Sequence, residues 1–598
     1  MPNDLISRRD VEFLLYEWLG VDELPKRERY SDHSRETFDG VLDLCEQLAE
    51  KYFAPHNKLN DTREPTFDGR HVHVNPEVKR ALDAFAAADL IGMSMDYELG
   101  GAQLPVTVAS AGFAWFHAAN VSTAAYLMLT MANANLLATY GSTRDHELFV
   151  KPMLAGRFSG TMCLSEPQAG SSLADVSTRA EPTDDGHYRL FGSKMWISGG
   201  EHEMTENIVH LVLARIAGSP AGVKGLSLFI VPKFLVDDNA AIGERNDVSL
   251  GGLNHKMGYR GTTNTVLNFG EGAHRPLGSA GAVGYLVGRP NAGISYMFHM
   301  MNEARLGVGI GAVALGYTGY LKSVRYASER LQGRVPARKS AEDKPVPIIE
   351  HADVRRMLLA QKAYVEGALA LALYCGYLID TRASSEDNKE AEEAALLLDV
   401  LTPIAKSWPS QWCVAANDLA IQVHGGYGYT RDYDVEQHYR DNRLNPIHEG
   451  THGIQSLDLL GRKVTQHDGA SLALVSDRIG KAIDGATALG GELGHLADQL
   501  AQRWVRLVEI TTKLVRESDR ELALANSAIY LEAFGHLVIA WMWLELLIIS
   551  APKNTDFHAG KVQAGRFFFR YELPRVDPQL NLLETLDSTT VDMKAEWF

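Results

Sequence analysis

Cysteine is scarce in this sequence, since its 598 residues include four: Cys45, Cys163, Cys375 and Cys413. They lie far apart and form no C-x-x-C pair, so neither a disulfide framework nor a zinc site is expected. We expect no other metal site either. A reducing compartment, the cytoplasm, is the expected location.

Long apolar runs are missing as well. The first residues, MPNDLISRRDVEF, are charged and lack the apolar core of a secretory signal. The most apolar stretch, residues 537–549, is too short for a comfortable membrane span and carries Glu545. We therefore expect no integral membrane span. A buried core helix is expected at this stretch, with peripheral membrane contact as the alternative.

Basic residues are in the minority, because 58 Lys and Arg stand against 75 Asp and Glu and the formal net charge is −17. Nucleic-acid binding needs a basic face that replaces phosphate counterions, so this class of function is not expected. An anionic small molecule would have to be held by a few local Arg or Lys side chains.

Two nucleotide-binding motifs are also missing, namely G-x-G-x-x-G at a strand-to-helix turn and G-x-x-x-x-G-K-[ST]. Helical periodicity dominates residues 31–155 and returns from residue 292, whereas short apolar or alternating runs fill residues 158–288. The spacing of these runs favours an antiparallel barrel or sandwich. Strands clustered between helical blocks indicate the α+β class, not alternating βαβ units.

The predicted domain order follows from this pattern and from the length, which suggests three or four domains. The predicted domains are an N-terminal helical domain (1–157), a middle β-barrel or sandwich domain (158–290), a helical bundle (291–464) and an extra C-terminal helical domain (465–598).

Two segments of the strand-rich region are candidates for chemistry. In MCLSEPQAGS, residues 162–171, a short strand enters a turn that offers backbone N–H groups and hydroxyls to a polar ring edge or a phosphate. In KMWISGG, residues 194–200, Trp196 beside Ser198 could pack on a flat cofactor while the hydroxyl bonds its edge. The alternatives are an ordinary strand-loop and a core Trp at a strand end.

The third candidate segment lies in the helical region and contains QVHGGYGY at residues 422–429, Arg440-Asp441 and IHEGT at residues 447–451. Its closely spaced glycines indicate unusual backbone or the close approach of a ligand. Glu449 precedes a new helix. In an apolar cleft its pKa would rise and it would be a usable base near neutral pH. The alternative is an acid that the helix dipole favours.

These segments, in this order across a helical–β–helical chain, resemble the acyl-CoA dehydrogenase family. MGYRGTTNTVLNF at 257–269, ARLGVG at 304–309 and YASER at 326–330 agree with the same family. The resemblance covers residues 35–464. The length, the C-terminal block and LDLLGRKV at 457–464 are similar to the long bacterial branch, which includes methylmercaptopropionyl-CoA dehydrogenase-like and broad-range fatty acyl-CoA dehydrogenases.

The resemblance implies a flavoprotein oxidoreductase of fatty acid β-oxidation, and thus of lipid metabolism. Glu449 would remove the α-proton of an acyl-CoA thioester, and the β-hydride would pass to N5 of FAD, giving a trans-2-enoyl-CoA. The backbone N–H of Glu449 would polarise the thioester oxygen. Electrons would pass to an electron-transferring flavoprotein, and a homodimer is expected.

Two alternatives remain beside this function. One is an acyl-CoA oxidase that passes electrons to oxygen. The other is a non-catalytic flavin-binding or DNA-protective relative, against which the acidic charge and the intact Glu449 count.

The resemblance also implies binding residues. Those implied for FAD are Cys163, Leu164, Ser165, Gly170, Ser171, Trp196, Ile197, Ser198, Arg330, Gln422, Gly425, Gly426 and Thr451. Those implied for the acyl-CoA substrate are Ser171, Asn302, Arg305 and Gly450. An arginine fork at 305 suits phosphate geometry. The sequence departs from the family pattern at Ser172, Gln332, Gln437 and Gly453.

Overall fold

The computed structural model describes residues 4–334 and 344–598, in which helices come first, strands follow and helices return. This order confirms the predicted α+β class. The helices before the strands are α1 (Arg8–Glu12), α2 (Arg35–Leu48), α3 (Asn57–Thr62), α4 (Pro76–Ala87), α5 (Val106–Tyr140), α6 (Thr143–Asp145) and α7 (Lys151–Leu154).

The strands begin with a short hairpin in the N-terminal region that the sequence pattern did not predict. They are β1 (Thr66–Phe67), β2 (Val72–His73), β3 (Phe158–Cys163), β4 (Arg179–Pro182), β5 (Tyr188–Ser198), β6 (Asn207–Ile216), β7 (Leu226–Pro232), β8 (Phe234–Val236), β9 (Ile242–Arg245), β10 (Val248–Leu253), β11 (Asn264–Phe269) and β12 (Ala282–Leu286).

Long helices make up most of the remaining chain. They are α8 (Gly293–Glu329), α9 (Ala352–Ser384), α10 (Asn388–His424), α11 (Val435–Asn442), α12 (His452–Asp458), α13 (Ala470–Leu489), α14 (Gly491–Arg516), α15 (Arg520–Leu524), α16 (Ser527–Ser550), α17 (Asp556–Phe567), α18 (Val576–Thr585) and α19 (Thr589–Asp592).

The chain divides into two compact units, and the division falls inside α5 and α8. The predicted boundaries at 157, 290 and 464 are not those of the units and stay predictions. The first unit is Met1–Arg35, Pro105–Ala114 and Val308–Phe598, and the second is Glu36–Leu104 and Trp115–Gly307.

The second unit contains a closed ring of strands. Within the described residues, β5 pairs with β12, β12 with β7, β7 with β6, β6 with β4, and β4 with β5. Most pairs are antiparallel as predicted, but β6 runs parallel to β3 and β4. The chain passes through β4 and β5 before it returns beside β3, which is the crossover that a parallel pair needs. Leu190, Val212, Phe229 and Leu267 belong to the buried core of this sheet.

The first unit is helical, and α16 lies in its interior. The helices α5, α9 and α16 are long and apolar enough to cross a membrane by length and composition, yet 72–83% of each apolar window is buried in the protein. Glu545 on α16 accepts hydrogen bonds from Trp18 Nε1 at 2.7 Å and Trp541 Nε1 at 2.5 Å. A helix that is apolar all round and satisfies its charged residue internally is a core helix.

A buried ionic cluster joins the two ends of the chain inside the first unit. Lys561 on α17 donates to Glu366 Oε2 on α9 at 2.9 Å and also to Asp10 on α1. Tyr317 Oη donates to Asp10 Oδ2 at 2.8 Å. Burial of these groups is complete or nearly so. Removing one member would leave an uncompensated charge in the interior.

Candidate active site

Glu449 lies in a tight turn that leads into α12. Its φ is +52° and that of Gly450 is +90°, so two successive residues have left-handed backbone. Thr451 caps α12, because its hydroxyl accepts a hydrogen bond from Ile454 N at 3.4 Å. The Glu449 side chain is half-buried. A left-handed non-glycine residue costs about 1 kcal/mol, and such strain persists only where the surroundings hold it.

Hydrogen bonds to the backbone carbonyls of Glu449 and Gly450 hold this turn. The Glu449 carbonyl accepts from Gln455 Nε2 at 2.9 Å, and the Gly450 carbonyl accepts from Lys406 Nζ at 2.6 Å. The positive φ favours glycine at position 450, and a Cβ there would lie 2.6 Å from Gln455 Nε2 and displace the amide that holds the Glu449 carbonyl.

A chain of buried amides holds the other side of the turn. His448 Nε2 lies 3.0 Å from Asn445 Oδ1, and Asn445 Nδ2 donates to Asn442 Oδ1 at 2.8 Å. Asn442 Nδ2 in turn donates to Asn417 Oδ1 on α10 at 2.8 Å and to Ala312 O on α8 at 3.0 Å. The turn is therefore tied to the two long helices through neutral groups.

The imidazoles on either side of Glu449 are neutral at neutral pH. Burial and then the positive charge of Lys406 lower the pKa of His448 to about 3. Burial, Lys406 and Arg443 lower the pKa of His452 to about 4. Neither imidazole therefore carries a positive charge beside Glu449 near pH 7.

A second group of predicted residues surrounds a pocket of about 550 Å³ in the first unit. Arg330, Gly425 and Gly426 line it, and so does Gln332. A Cβ on either glycine would meet nothing within 4 Å, so bare backbone faces open space. Neither Gln422, which is exposed, nor Thr451 is among the described residues that line this pocket.

In the second unit, a buried ion pair joins the loop after β3 to β5. Lys194 Nζ donates to Glu166 Oε1 at 2.9 Å and to Leu164 O at 3.0 Å, and both charged side chains are at most 1% exposed. Burial alone would raise the pKa of Glu166, but Lys194 and hydrogen bonds from Thr178 and Ser177 lower it to about 2. Glu166 is therefore a carboxylate at neutral pH.

Trp196 is presented outward from β5 on strained backbone. Its φ is +66° and 58% of it is exposed, an unusual environment for a large aromatic residue. The pairing of β5 with β11 shifts register beside it, as expected for a bulge that redirects a side chain. Ser198 Oγ accepts from Asn264 Nδ2 at 3.2 Å.

The other residues predicted for FAD in this unit differ in accessibility. Cys163 and Ile197 belong to the buried core of the sheet, and burial raises the pKa of the Cys163 thiol to about 12. Leu164 is buried and Ser165 half-buried, whereas Gly170 and Ser171 are exposed. Cys163 and Ile197 would thus present backbone atoms, not side chains, to a ligand.

The predicted CoA-binding pair lies on α8. Arg305 Nη1 donates to Asn302 Oδ1 at 3.3 Å, and the arginine is 2% exposed. Its guanidinium carbon lies 5.9 Å from the ring centroid of Phe298. The spacing of three residues puts both side chains on one helix face, as expected.

Sequence reasoning missed the residues that support the site. Lys194 and Glu166 stand inside the motifs but were not assigned a role. Lys406 and Gln455 lie outside every motif that was considered, and the only available signal was a lysine within the apolar run LTPIAKSW.

Comparisons with known proteins show which family the chain belongs to. Family models match residues 161–271 (acyl-CoA dehydrogenase, middle domain), 291–464 (acyl-CoA dehydrogenase, C-terminal domain) and 475–594 (acetyl-CoA dehydrogenase C-terminal like). The 3-methylmercaptopropionyl-CoA dehydrogenase of Ruegeria pomeroyi is 35% identical over 89% of both chains. The broad-specificity linear acyl-CoA dehydrogenase FadE5 of Mycobacterium tuberculosis is 32% identical over 98% of both chains.

A solved structure shows the same fold. It is the Bacillus anthracis acyl-CoA dehydrogenase complexed with FAD, with a TM-score of 0.67 and 18% identity, covering 94% of this chain and 97% of that one. The two relatives confirm the family that the motifs predicted. The chain belongs to the acyl-CoA dehydrogenase family.

Proposed function

We propose that the protein catalyses the FAD-dependent α,β-dehydrogenation of an acyl-CoA thioester to a trans-2-enoyl-CoA. The observation that carries this proposal is Glu449, a half-buried carboxylate on left-handed backbone whose turn is held from both sides. Strain that the surroundings maintain is typical of a functional position. Membership in the family supports the reaction class.

Glu449 acts as the base in this proposal. A thioester α-proton is a weak acid unless charge on the thioester oxygen is stabilised as the proton leaves. The backbone N–H of Glu449 is the donor that we assign to this oxygen, so one residue supplies both the base and a stabilising dipole. Gln455 and Lys406 fix the peptide groups that follow it. Bound FAD supplies the two-electron acceptor for the β-hydride.

The residues present fit FAD. In the second unit, the exposed Trp196 offers a flat apolar surface. In the first unit, a pocket has the Arg330 guanidinium beside bare backbone at Gly425 and Gly426, and we assign it to flavin across a subunit boundary. A guanidinium suits the pyrophosphate, and glycine backbone permits close approach. The Bacillus anthracis enzyme with the same fold holds FAD, which supports the assignment.

Replacing Glu449 tests the proposal directly. We expect Glu449→Gln to keep FAD and to lose turnover with an artificial electron acceptor by about 100- to 10,000-fold, the contribution typical of a general base. The exposed Glu521→Gln on α15 is the matched control and should keep wild-type turnover. Wild-type turnover in the FAD-loaded Glu449→Gln protein would contradict the proposal.

Arg305 tests the assignment of the CoA side. Its removal should raise KM for acyl-CoA thioesters while FAD content stays the same, because the guanidinium is assigned to a phosphate of CoA. Arg144→Ala, at an exposed ion pair in the same unit, is the control. Equal losses of FAD and of substrate affinity in Arg305→Ala would indicate a structural role instead.

The electron acceptor, the assembly state and the acyl chain complete the proposal. We propose an electron-transferring flavoprotein as the partner, and rapid peroxide formation under air would identify an oxidase instead. We propose a homodimer in the cytoplasm. Sedimentation would test the assembly state. Turnover of thioesters from short to long, including branched and thioether chains, would define the substrate.

A further inference from the structure

Lys406 is a buried cation directly behind the turn that presents Glu449. It lies on α10 with 0% of its surface exposed, and its ammonium donates to the carbonyl of Gly450 at 2.6 Å. Burying an ammonium is expensive, and a neutral side chain could bond a carbonyl equally well. At Gly450 the contact is made by a charged group, whose field extends to the rest of the turn.

The packing of α8 brings Lys406 to this position. A Cβ on Gly309 would lie 2.2 Å from Ala405 O and 3.7 Å from Lys406 Cα, so the two helices approach closely only because residue 309 is glycine. Ser410 Oγ donates to Lys406 O at 2.5 Å, one turn further along the same helix. The lysine thus projects from a helix that packs closely against α8.

The charge of Lys406 reaches both residues that flank the base. Its field contributes to the lowered pKa values of His448 and His452, after the effect of burial in each case. Glu449 and Gly450 lie between these two histidines in the chain. A positive potential in a poorly solvated site stabilises a negative charge that develops there.

We propose that Lys406 is a positioning residue for the reaction: its ammonium fixes the left-handed Glu449–Gly450 turn through the Gly450 carbonyl and supplies positive potential where the α-carbanion and thioester oxygen gain charge. The inference rests on the proposed function, because it presupposes that Glu449 is the base. The neutral amide chain through Asn445 holds the preceding side of the turn but carries no charge. Lys406 therefore acts on the rate of proton removal more than on binding.

The test compares Lys406→Met with Lys463→Met. Lys463 is also buried in the first unit, at 3% exposed, but it pairs with Asp399 instead of the Glu449 turn. We expect both variants to lose stability and to keep FAD. Only Lys406→Met should lose kcat, by about 100-fold, which is the scale of loss when a reacting group is slightly misplaced. The KM of Lys406→Met should change little. Its kinetic isotope effect with α-deuterated substrate should rise, because slower proton removal limits turnover to a greater extent.

Further variants keep the result decisive. Lys406→Gln retains a donor without the charge, so its kcat should lie between those of the wild type and Lys406→Met. It replaces Lys406→Met if that protein does not fold. If Glu449→Gln is inactive but the variant at position 406 keeps the wild-type kcat and isotope effect, this inference is overturned and the proposed function stands. An active Glu449→Gln would overturn the proposed function and this inference with it.

Discussion

Replacing Lys194 with Met tests how the loop after β3 is held. The change removes the cation from Glu166, whose carboxylate is almost fully buried. Lys194 and the hydrogen bonds from Thr178 and Ser177 together lower the pKa of Glu166 from 4.5 to about 2. Breaking a buried pair from one side typically costs about 3–5 kcal/mol, and we expect a loss of that size for Lys194→Met.

The pH dependence of the loss gives the sharper test. In the wild type, the folded pKa of Glu166 lies below its ordinary value, so its contribution is complete above pH 4.5 and disappears as the pH falls towards 2. Without Lys194 the pKa of Glu166 rises, and the carboxyl can take up a proton in weak acid. The deficit of Lys194→Met should therefore be largest near pH 7 and smaller near pH 5.

Urea unfolding at both pH values measures this deficit, and hydrogen exchange at the amides of Ser177 and Thr178 localises it, because both donate to Glu166. Glu181→Gln is the control. It breaks an ion pair on β4 whose partners are 50–60% exposed, and it should cost less than about 1 kcal/mol. A deficit for Lys194→Met below about 1 kcal/mol, or one that is equal at the two pH values, would refute the electrostatic reasoning.

Three further predictions concern stability in the first unit. Gly309→Ala should lower the melting temperature because its Cβ would meet a backbone carbonyl of α10 at 2.2 Å, whereas Gly480→Ala, with open space around it on α13, should stabilise by about 0.5–1 kcal/mol. This prediction is contradicted if Gly309→Ala and Gly480→Ala shift the melting temperature in the same direction. Lys561→Met should destabilise by about 3–5 kcal/mol in urea, since buried Asp10 loses its cation while Glu366 retains Lys362, and a loss below about 1 kcal/mol would show that the cluster relaxes. The pKa of His448 is about 3 in the folded protein and 6.5 in the unfolded chain. Above pH 6.5 the imidazole is neutral in both states and costs no stability. As the pH falls from 6.5 towards 3, the unfolded chain takes up a proton that the folded protein does not, so the free energy of unfolding decreases. Between pH 6.5 and pH 5 the free energy of unfolding should fall by about 2 kcal/mol more in the wild type than in His448→Gln. Parallel pH profiles for the two proteins would contradict this prediction.

The sequence predicted the fold well where the signal is local. Short apolar runs separated by turns indicated the strands, and an all-round apolar run with one acid indicated a core helix at 537–549. The parallel pairing of β6 with β3 and β4 could not be predicted in this way, because it depends on which strand the returning chain meets. The β1–β2 hairpin was missed because its strands are two residues long.

The site shows the same limit at the level of side chains. Motif spacing predicted Glu449, Arg330 and Gly425, which stay predictions, but it did not show that Cys163 faces the interior of the sheet. That orientation depends on the strand register, since side chains alternate between the two faces. Lys406 was not found because its importance depends on a carbonyl 44 residues further along the chain.

The ionic cluster at Lys561 has a consequence for how the protein is made. Asp10 and Lys561 are separated by 551 positions, so a ribosome releases one partner long before the other. Until α17 emerges, Asp10 lacks the cation that it shares with Glu366, whereas Glu366 already has Lys362 on its own helix. A chain that ended upstream of α17 would thus bury Asp10 without the ammonium that pairs with it in the complete fold. The last helices are in this sense needed to complete the buried charge pairing of the first unit.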